Sequence, residues 1–399
     1  MNPAKMANQT SLDFKNTAIA FLSKTDEELI WTARLFRLMN KSWLVNLGSK
    51  MGLKALQLNV PFAEKTIKNT LFQHFCGGTT LLNTQPIIDK LYRQKVQAIL
   101  DYGVEAKSSE LDFNGTMNET IRAIDFATQN AGVPAVSLKI TGIGRFGLLE
   151  KIQEGKALSE EEKLAFQNVN KRLDALCYAA HGKGVAIFID AEESWIQETI
   201  DFLASKMMKR YNKERVIVYN TFQLYRHDRL QFLIDSFEES RKLGYILGAK
   251  LVRGAYMEKE RARAAAMNYA SPIQPSWEAT DNDFNTAIQF CVENFLHVAS
   301  CNASHNEFST ALQASLISQK GIQKNHPHLN FCQLYGMSDN LTFNLAEAGY
   351  NVAKYLPYGP VKEVIPYLIR RAEENTSVTG DMTREYQLLV RELKRRGLR

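Results

Sequence analysis

Residues 355–360 read Tyr355-Leu356-Pro357-Tyr358-Gly359-Pro360 and lead straight into 361–375, a stretch that carries Tyr367, Arg370, Arg371 and Glu374. It reads as a strand end, a turn and a helix. Pro357, Gly359 and Pro360 break regular structure, and Pro360 suits the first turn of a helix, where its missing N–H would be unpaired anyway. Val361, Val364, Ile365, Leu368 and Ala372 then recur at helical spacing as one apolar stripe. Tyr367, Arg370, Arg371 and Glu374 fall on a second stripe. Two adjacent guanidiniums beside a tyrosine make a receptor for a small carboxylate, because each offers a planar fork of donors, and Glu374 can hold them in place. The alternative is a solvated face of i, i+3 and i, i+4 ion pairs. The stripe follows a strand and turn directly, which is where an α/β barrel keeps its chemistry.

Upstream of this stretch, short β-type runs alternate with longer helical ones: 98–104, 134–141, 185–190, 215–220, 247–253, 296–301, 329–334 and 350–356. Such alternation means parallel strands joined by right-handed crossovers, and the spacing predicts an α/β fold, a (β/α)8 TIM-type barrel. The predicted division is an N-terminal helical arm over 1–90, the barrel over 91–380 and a basic helical tail over 381–399.

The C-terminal rim of such a barrel carries its catalytic groups. Here the strand ends are polar throughout: Asp101 and Glu105; Lys139 and Thr141; Asp190 and Glu192; Asn220 and Gln223; Arg253 and Tyr256; Ser304, His305 and Asn306; Gln333 and Tyr335; Tyr355 and Tyr358. Lys139 and Asp190 each end an apolar strand, where burial is costly without a partner.

With 399 residues, 45% of them hydrophobic, the chain can bury a large core. A net charge of +6, with basic residues spread among 43 acids, gives no field for steering nucleic acid. Only the tail is basic, at Arg391, Lys394, Arg395, Arg396 and Arg399; it reads as a solvated helix end or as a contact with an anionic membrane surface. Five cysteines without a C-x-x-C pair indicate neither a zinc site nor a disulfide framework, hence a reducing compartment and no metal. The N-terminus has no secretory signal pattern, its acids are wrong for a transit peptide, and no stretch is apolar enough to span a bilayer.

In the arm, Thr25 to Glu28 forms a capping box. Trp31, Leu35, Phe36, Met39, Trp43, Leu44 and Leu47 keep helical spacing, which fits an amphipathic arm packed on the barrel or a membrane-surface helix. Gly142-x-Gly144-x-x-Gly147 satisfies the pattern of a dinucleotide fingerprint, but the next strand is too distant for a βαβ unit, and glycines in a rim loop explain it as well.

The chain resembles the stand-alone proline dehydrogenases over roughly 95–380. The most specific match is Tyr355-Leu-Pro-Tyr-Gly-Pro followed by Tyr367-Leu-Ile-Arg370-Arg371-Ala-Glu-Glu374-Asn375. It is joined by Lys250-Leu-Val-Arg253-Gly254-Ala255-Tyr256, Asp190-Ala-Glu192, Asn220-Thr-Phe-Gln223 and Ser304-His305-Asn306. The resemblance implies a barrel holding non-covalent FAD, in which proline gives a hydride from ring C5 to flavin N5 and becomes pyrroline-5-carboxylate. It implies that Arg370, Arg371 and Lys139 hold the proline carboxylate, that Tyr355, Tyr367 and Leu334 wall the ring, and that Asp190 organises the cations. Glu105 would pair with Arg370 and close the site.

By the same resemblance Asn220, Lys250, Arg253, Gly254, Ala255, Tyr256, Ser304, His305, Asn306, Gln333 and Glu374 would line the FAD. Many bacterial members have Arg at Lys250, Gln at Asn220 and His at Tyr335. The implied partners are L-proline, a membrane quinone as electron acceptor and a separate pyrroline-5-carboxylate dehydrogenase, with the protein cytoplasmic and held peripherally on the inner face of the membrane. A hydroxyproline dehydrogenase is the alternative within the class; members of that kind tend to have a small Ser where this chain has Tyr355, so Tyr355 favours proline. A non-catalytic barrel binding an acidic metabolite is the alternative outside it, and a colourless protein would support that reading.

Overall fold

A computed structural model describes residues 12–39, 63–103, 107–377 and 381–398. Eight parallel strands close into a barrel in sequential order: β1 (Gln97–Tyr102), β2 (Ala135–Leu138), β3 (Ala186–Ile189), β4 (Val218–Gln223), β5 (Leu247–Val252), β6 (Val298–Ala303), β7 (Leu329–Leu334) and β8 (Asn351–Tyr358). Every run read from the sequence is a strand. β4 and β6 end later than expected, at Gln223 and Ala303 rather than 220 and 301, because polar residues such as Thr221, Gln223 and Asn302 continue the ladder. β8 closes on β1, with Tyr355 opposite Ile99 and Tyr358 opposite Tyr102.

Side chains alternate across each strand, so two interiors form. Outward residues such as Leu100, Val136, Ile187, Val218, Leu251 and Leu356 bury against the helical layer. Inward residues, among them Ile99, Phe188, Tyr219, Cys301, Cys332, Ala353 and Tyr355, fill the barrel. The Gly142/Gly144/Gly147 loop is a packing device: a Cβ on Gly144 would lie 2.5 Å from Val169 of the helix Glu160–Lys183, and none of the three glycines has positive φ.

A second apolar cluster caps the barrel. Leu29, Phe36 and Met39 of the arm helix Asp26–Met39 meet Val361, Val364 and Leu368 of the mouth helix (Val361–Ser377), and Leu388, Leu389 and Leu393 of the C-terminal helix (Asp381–Arg395). The arm therefore packs on the barrel cap, with the expected capping box formed in both directions at 3.0 and 3.2 Å. Trp31 stays at the surface; Trp43, Leu44 and Leu47 lie outside the described residues. The arm also pairs with the end of β8 and with Gly359 just beyond it. Gly77 N–H donates to Pro357 O at 2.7 Å and Gly359 N–H to Gly78 O at 3.0 Å, and a Cβ on Gly77 would lie 2.8 Å from Leu356.

Two of the basic tail residues are ion-paired, Arg395 while still exposed and Arg396 largely covered. Arg395 and Arg396 both bind the buried Glu392, and Arg396 reaches Asp26 and the carbonyls of Phe21 and Lys24. Among the described residues no helix is long and apolar enough to cross a membrane.

Candidate active site

Alternation decides which strand-end residues enter the barrel. Asp101, Ser137, Lys139, Asp190, Lys250 and Tyr355 share the inward phase of the apolar lining and form its polar upper layer, beside Leu334 in the lining itself. Asp190 is the hub. Lys250 Nζ donates to its Oδ1 at 2.6 Å, and the Tyr355 hydroxyl donates to its Oδ2 at 2.7 Å while sharing a 3.2 Å hydrogen bond with Ser137 Oγ. Lys250 Nζ also stands 4.8 Å from the Tyr355 ring centroid.

Charge in this layer is balanced, two ammonium groups against two carboxyls. Burial alone would raise Asp190, but Lys250 and then Lys139 outweigh it and hold the carboxyl below its ordinary range. Asp101 goes the other way: burial pushes it up to about 6, Asp190 adds to the rise, and Lys139 only partly offsets it. Lys250 is raised, since Asp190 overcomes the effect of burial. Beside the layer Glu192 is pushed up to about 7 by burial, although Thr141 donates to it through both N–H and hydroxyl.

Over the mouth, the mouth helix brings in two arginines. The Arg370 guanidinium lies 5.6 Å from the Tyr256 ring and that of Arg371 5.4 Å from the Tyr367 ring. Tyr367 and Arg371 are buried. The loop after β1 is tied to the same helix by Lys107 and Glu363 at 2.8 Å; Glu105, two residues before Lys107, lies outside the described residues, as does the side chain of Glu374.

On the β5–β6 side of the rim, Arg253 is held by Asp281 at 2.8 Å, Ser304 at 2.7 Å and Ser309 at 3.0 Å. Gly254 has φ +147°, and a Cβ there would strike the Tyr225 ring at 2.4 Å, so the chain passes this point only with glycine; Ala255 follows it. Asn306 caps the helix Glu307–Gln319 through Ser309 N–H at 3.0 Å. His305 is held down at about 3, first by burial and then by Lys354, Arg371 and Arg253, so the ring is neutral and lies within reach of charge from the mouth helix.

Two expected residues do not join this assembly. Asn220 is outward on β4: its amide donates to Asp201 at 2.8 Å, and Asp201 is paired with Arg229 in the helical layer. Gln333 is outward on β7, donating to Ser304 O at 3.2 Å and accepting from Thr342 at 2.9 Å. Both have the outward phase of their strands, and a residue of that phase does not face the barrel interior. Ser137 and Asp101 are the converse. Ser137 escaped notice because a serine inside a strand carries no signal beyond its phase, and Asp101 appeared only as one polar strand end among many.

The fold is a (β/α)8 barrel whose rim carries a buried polar layer and two adjacent arginines on the helix that follows β8. The family model for proline dehydrogenase matches residues 84–384. "Proline dehydrogenase 1, mitochondrial" of Caenorhabditis elegans is 30% identical, with 98% of this chain and 89% of that protein covered. A Xenopus laevis hydroxyproline dehydrogenase is 31% identical, covering 97% and 91%. Among solved structures, proline utilization A from Bdellovibrio bacteriovorus inactivated by N-propargylglycine superposes with a TM-score of 0.74 at 19% identity, over 95% of this chain and 42% of that chain. The chain thus spans less than half the length of the solved chains it matches, and that likeness is one of fold. The chain belongs to the proline dehydrogenase family and is an oxidoreductase.

Proposed function

We propose that the protein oxidises L-proline to 1-pyrroline-5-carboxylate. The observation that carries the reading is the presence of two adjacent arginines, Arg370 and Arg371, on the helix that follows β8, together with the balanced Asp101, Lys139, Asp190 and Lys250 layer at the barrel rim. Arg370, Arg371 and Lys139 receive the substrate carboxylate through charge-assisted hydrogen bonds. Tyr355, Tyr367 and Leu334 enclose the ring, and Asp190 keeps Lys250 and Tyr355 in place. Glu105 belongs to the proposed set as a partner for Arg370, the role that the family resemblance implies for it.

The donor set around β5 and β6 fits FAD, a planar ring joined to anionic phosphates. Arg253 and Lys250 supply positive charge, Gly254 and Ala255 leave space, and Tyr256, Ser304, neutral His305 and Asn306 supply polar contacts, with Glu374 proposed as a further member of the set. When bound, FAD supplies the acceptor for the hydride that leaves proline C5. Asn220 and Gln333 support this set from behind.

Electrons pass on to a membrane quinone, met by peripheral contact on the inner, cytoplasmic face. Gly144 of the Gly142–Gly147 loop is accounted for by its packing against Val169, so that glycine does not call for a nicotinamide dinucleotide. A separate dehydrogenase takes pyrroline-5-carboxylate onward, as fits relatives of which this chain covers most of the length. The test is product analysis: purified protein with L-proline and a soluble quinone should form the cyclic imine, trapped by an aromatic aldehyde-amine. Reduction of NAD by proline without quinone turnover would contradict the reading. Turnover of hydroxyproline in preference to proline, as the name of the Xenopus relative describes, would redirect it.

A further inference from the structure

The loop after β7 turns at Ser338, whose φ of +50° is an uncommon one for a side-chain-bearing residue. This conformation points both of its donors at one oxygen. Ser338 N–H and Ser338 O–H both donate to Oε1 of Glu385, the hydroxyl at 3.1 Å. Ser338 Oγ in turn stands 2.9 Å from Nδ1 of His305, at the end of β6.

The direction of this chain is fixed by its one invariant donor. A backbone N–H can only donate, so the atom it meets must be an accepting oxygen. The hydroxyl meeting the same oxygen must donate as well. A serine hydroxyl has a single proton, and with that proton spent on Glu385 its Oγ can only accept from His305. The hydrogen of His305 therefore sits on Nδ1 and Nε2 carries the lone pair. The direction holds wherever Oε1 carries no proton: burial pushes Glu385 up to about 7, so above that pH the carboxylate is ionised and Oε1 can only accept.

The C-terminal helix grips the rim a second time, one residue earlier: Arg384 pairs with Glu307, the first residue of the helix that His305 and Asn306 lead into. Glu385 lies one residue beyond the end of the family match. From these contacts we infer that Glu385, acting through Ser338, is a positioning residue that sets the Nδ1–H tautomer of His305 and presents its Nε2 as an acceptor at the cofactor rim. The consequence for catalysis rests on the proposed FAD site; the tautomer itself does not.

The experiment is ¹⁵N NMR of the ring nitrogens in protein labelled at histidine, at pH 8.5, about 2 units above the ordinary His pKa, with His305 assigned by its loss in His305→Asn. Wild type and Glu385→Gln, which keeps an accepting oxygen, should show Nδ1 protonated. Ser338→Gly, a residue that suits the positive φ, and Glu385→Leu should show a tautomer mixture. An Nε2–H ring in the wild type, or an unchanged Nδ1–H ring in Ser338→Gly, would overturn the inference. In FAD-loaded protein, Ser338→Gly should also lower kcat about tenfold, the scale for losing a partner that orients a ring, with Glu385→Gln retaining activity. If the protein bound no flavin, the NMR result would stand and only the catalytic role would fall.

Discussion

Asp190 on the rim of β3 and Lys250 on β5 meet across the intervening β4 with Oδ1 and Nζ 2.6 Å apart, both nearly sealed from solvent. Neither charge has an alternative that water supplies. Burying an ion pair gains little net stability, but removing one partner strands the other. Asp190→Asn keeps the shape and the contact with Tyr355 while leaving Lys250 uncompensated. It should cost about 3 to 5 kcal/mol of unfolding free energy, read from denaturant midpoints at unchanged slope. A loss under about 1 kcal/mol, the scale of an exposed pair, would show that the pair is solvated.

The arginine pair of the mouth helix is expected to act on substrate rather than on cofactor. Arg370→Met and Arg371→Met should each raise the KM for proline strongly, since truncating one member of a desolvated charge pair costs about 2 to 5 kcal/mol, while flavin content stays near normal. A variant with wild-type KM would remove that arginine from the carboxylate site.

Substrate choice should lie at Tyr355. Its hydroxyl is committed to Asp190 and Ser137, so two substitutions separate packing from hydrogen bonding. Tyr355→Ser opens space for a ring hydroxyl and removes aromatic contact with proline. The ratio of kcat/KM for hydroxyproline over proline should rise, chiefly through a proline loss of about 1 to 3 kcal/mol. Tyr355→Phe keeps the ring, so the ratio should hold while both substrates slow. Equal ratios in wild type and Tyr355→Ser would place specificity elsewhere.

Glu192 gives stability a definite slope with pH. Its folded-state pKa is raised by burial from 4.5 to about 7, so the folded protein holds the proton more tightly than the unfolded chain. The stabilisation is complete below about 4.5, is lost as pH rises toward about 7, and changes no further above. Glu192→Gln cannot titrate. The Tm difference between this variant and wild type should therefore grow in the variant's favour from pH 5 to pH 8, windows bracketing that rise, with Asp101 and Glu385 cancelling because both proteins share them. Parallel Tm curves would contradict the buried assignment.

The barrel was legible because its strands are apolar runs between helices, and Lys139 and Asp190 were legible because charge at the end of such a run needs a partner. Phase was not. The run ending at 220 misplaced the end of β4, and with it Asn220 was set on the rim although its side chain faces Asp201. Gln333 likewise has the outward phase of β7. Counting by two from Tyr219 and Cys332, which line the interior, identifies Gln223 and Leu334 as the inward residues instead. The Ser338–Glu385 contact had no local signal: the partners are 47 residues apart, and a glutamate in a helix reads as surface charge until a fold places it.

The central claim is that this barrel holds a flavin that proline reduces. Purified protein should be yellow, and anaerobic mixing with L-proline should bleach the visible flavin band, with colour returning when a quinone is added. Arg371→Met should bind flavin and bleach only at much higher proline concentration. A colourless protein that takes up no added FAD, or a yellow one whose band proline leaves unchanged, would contradict the account.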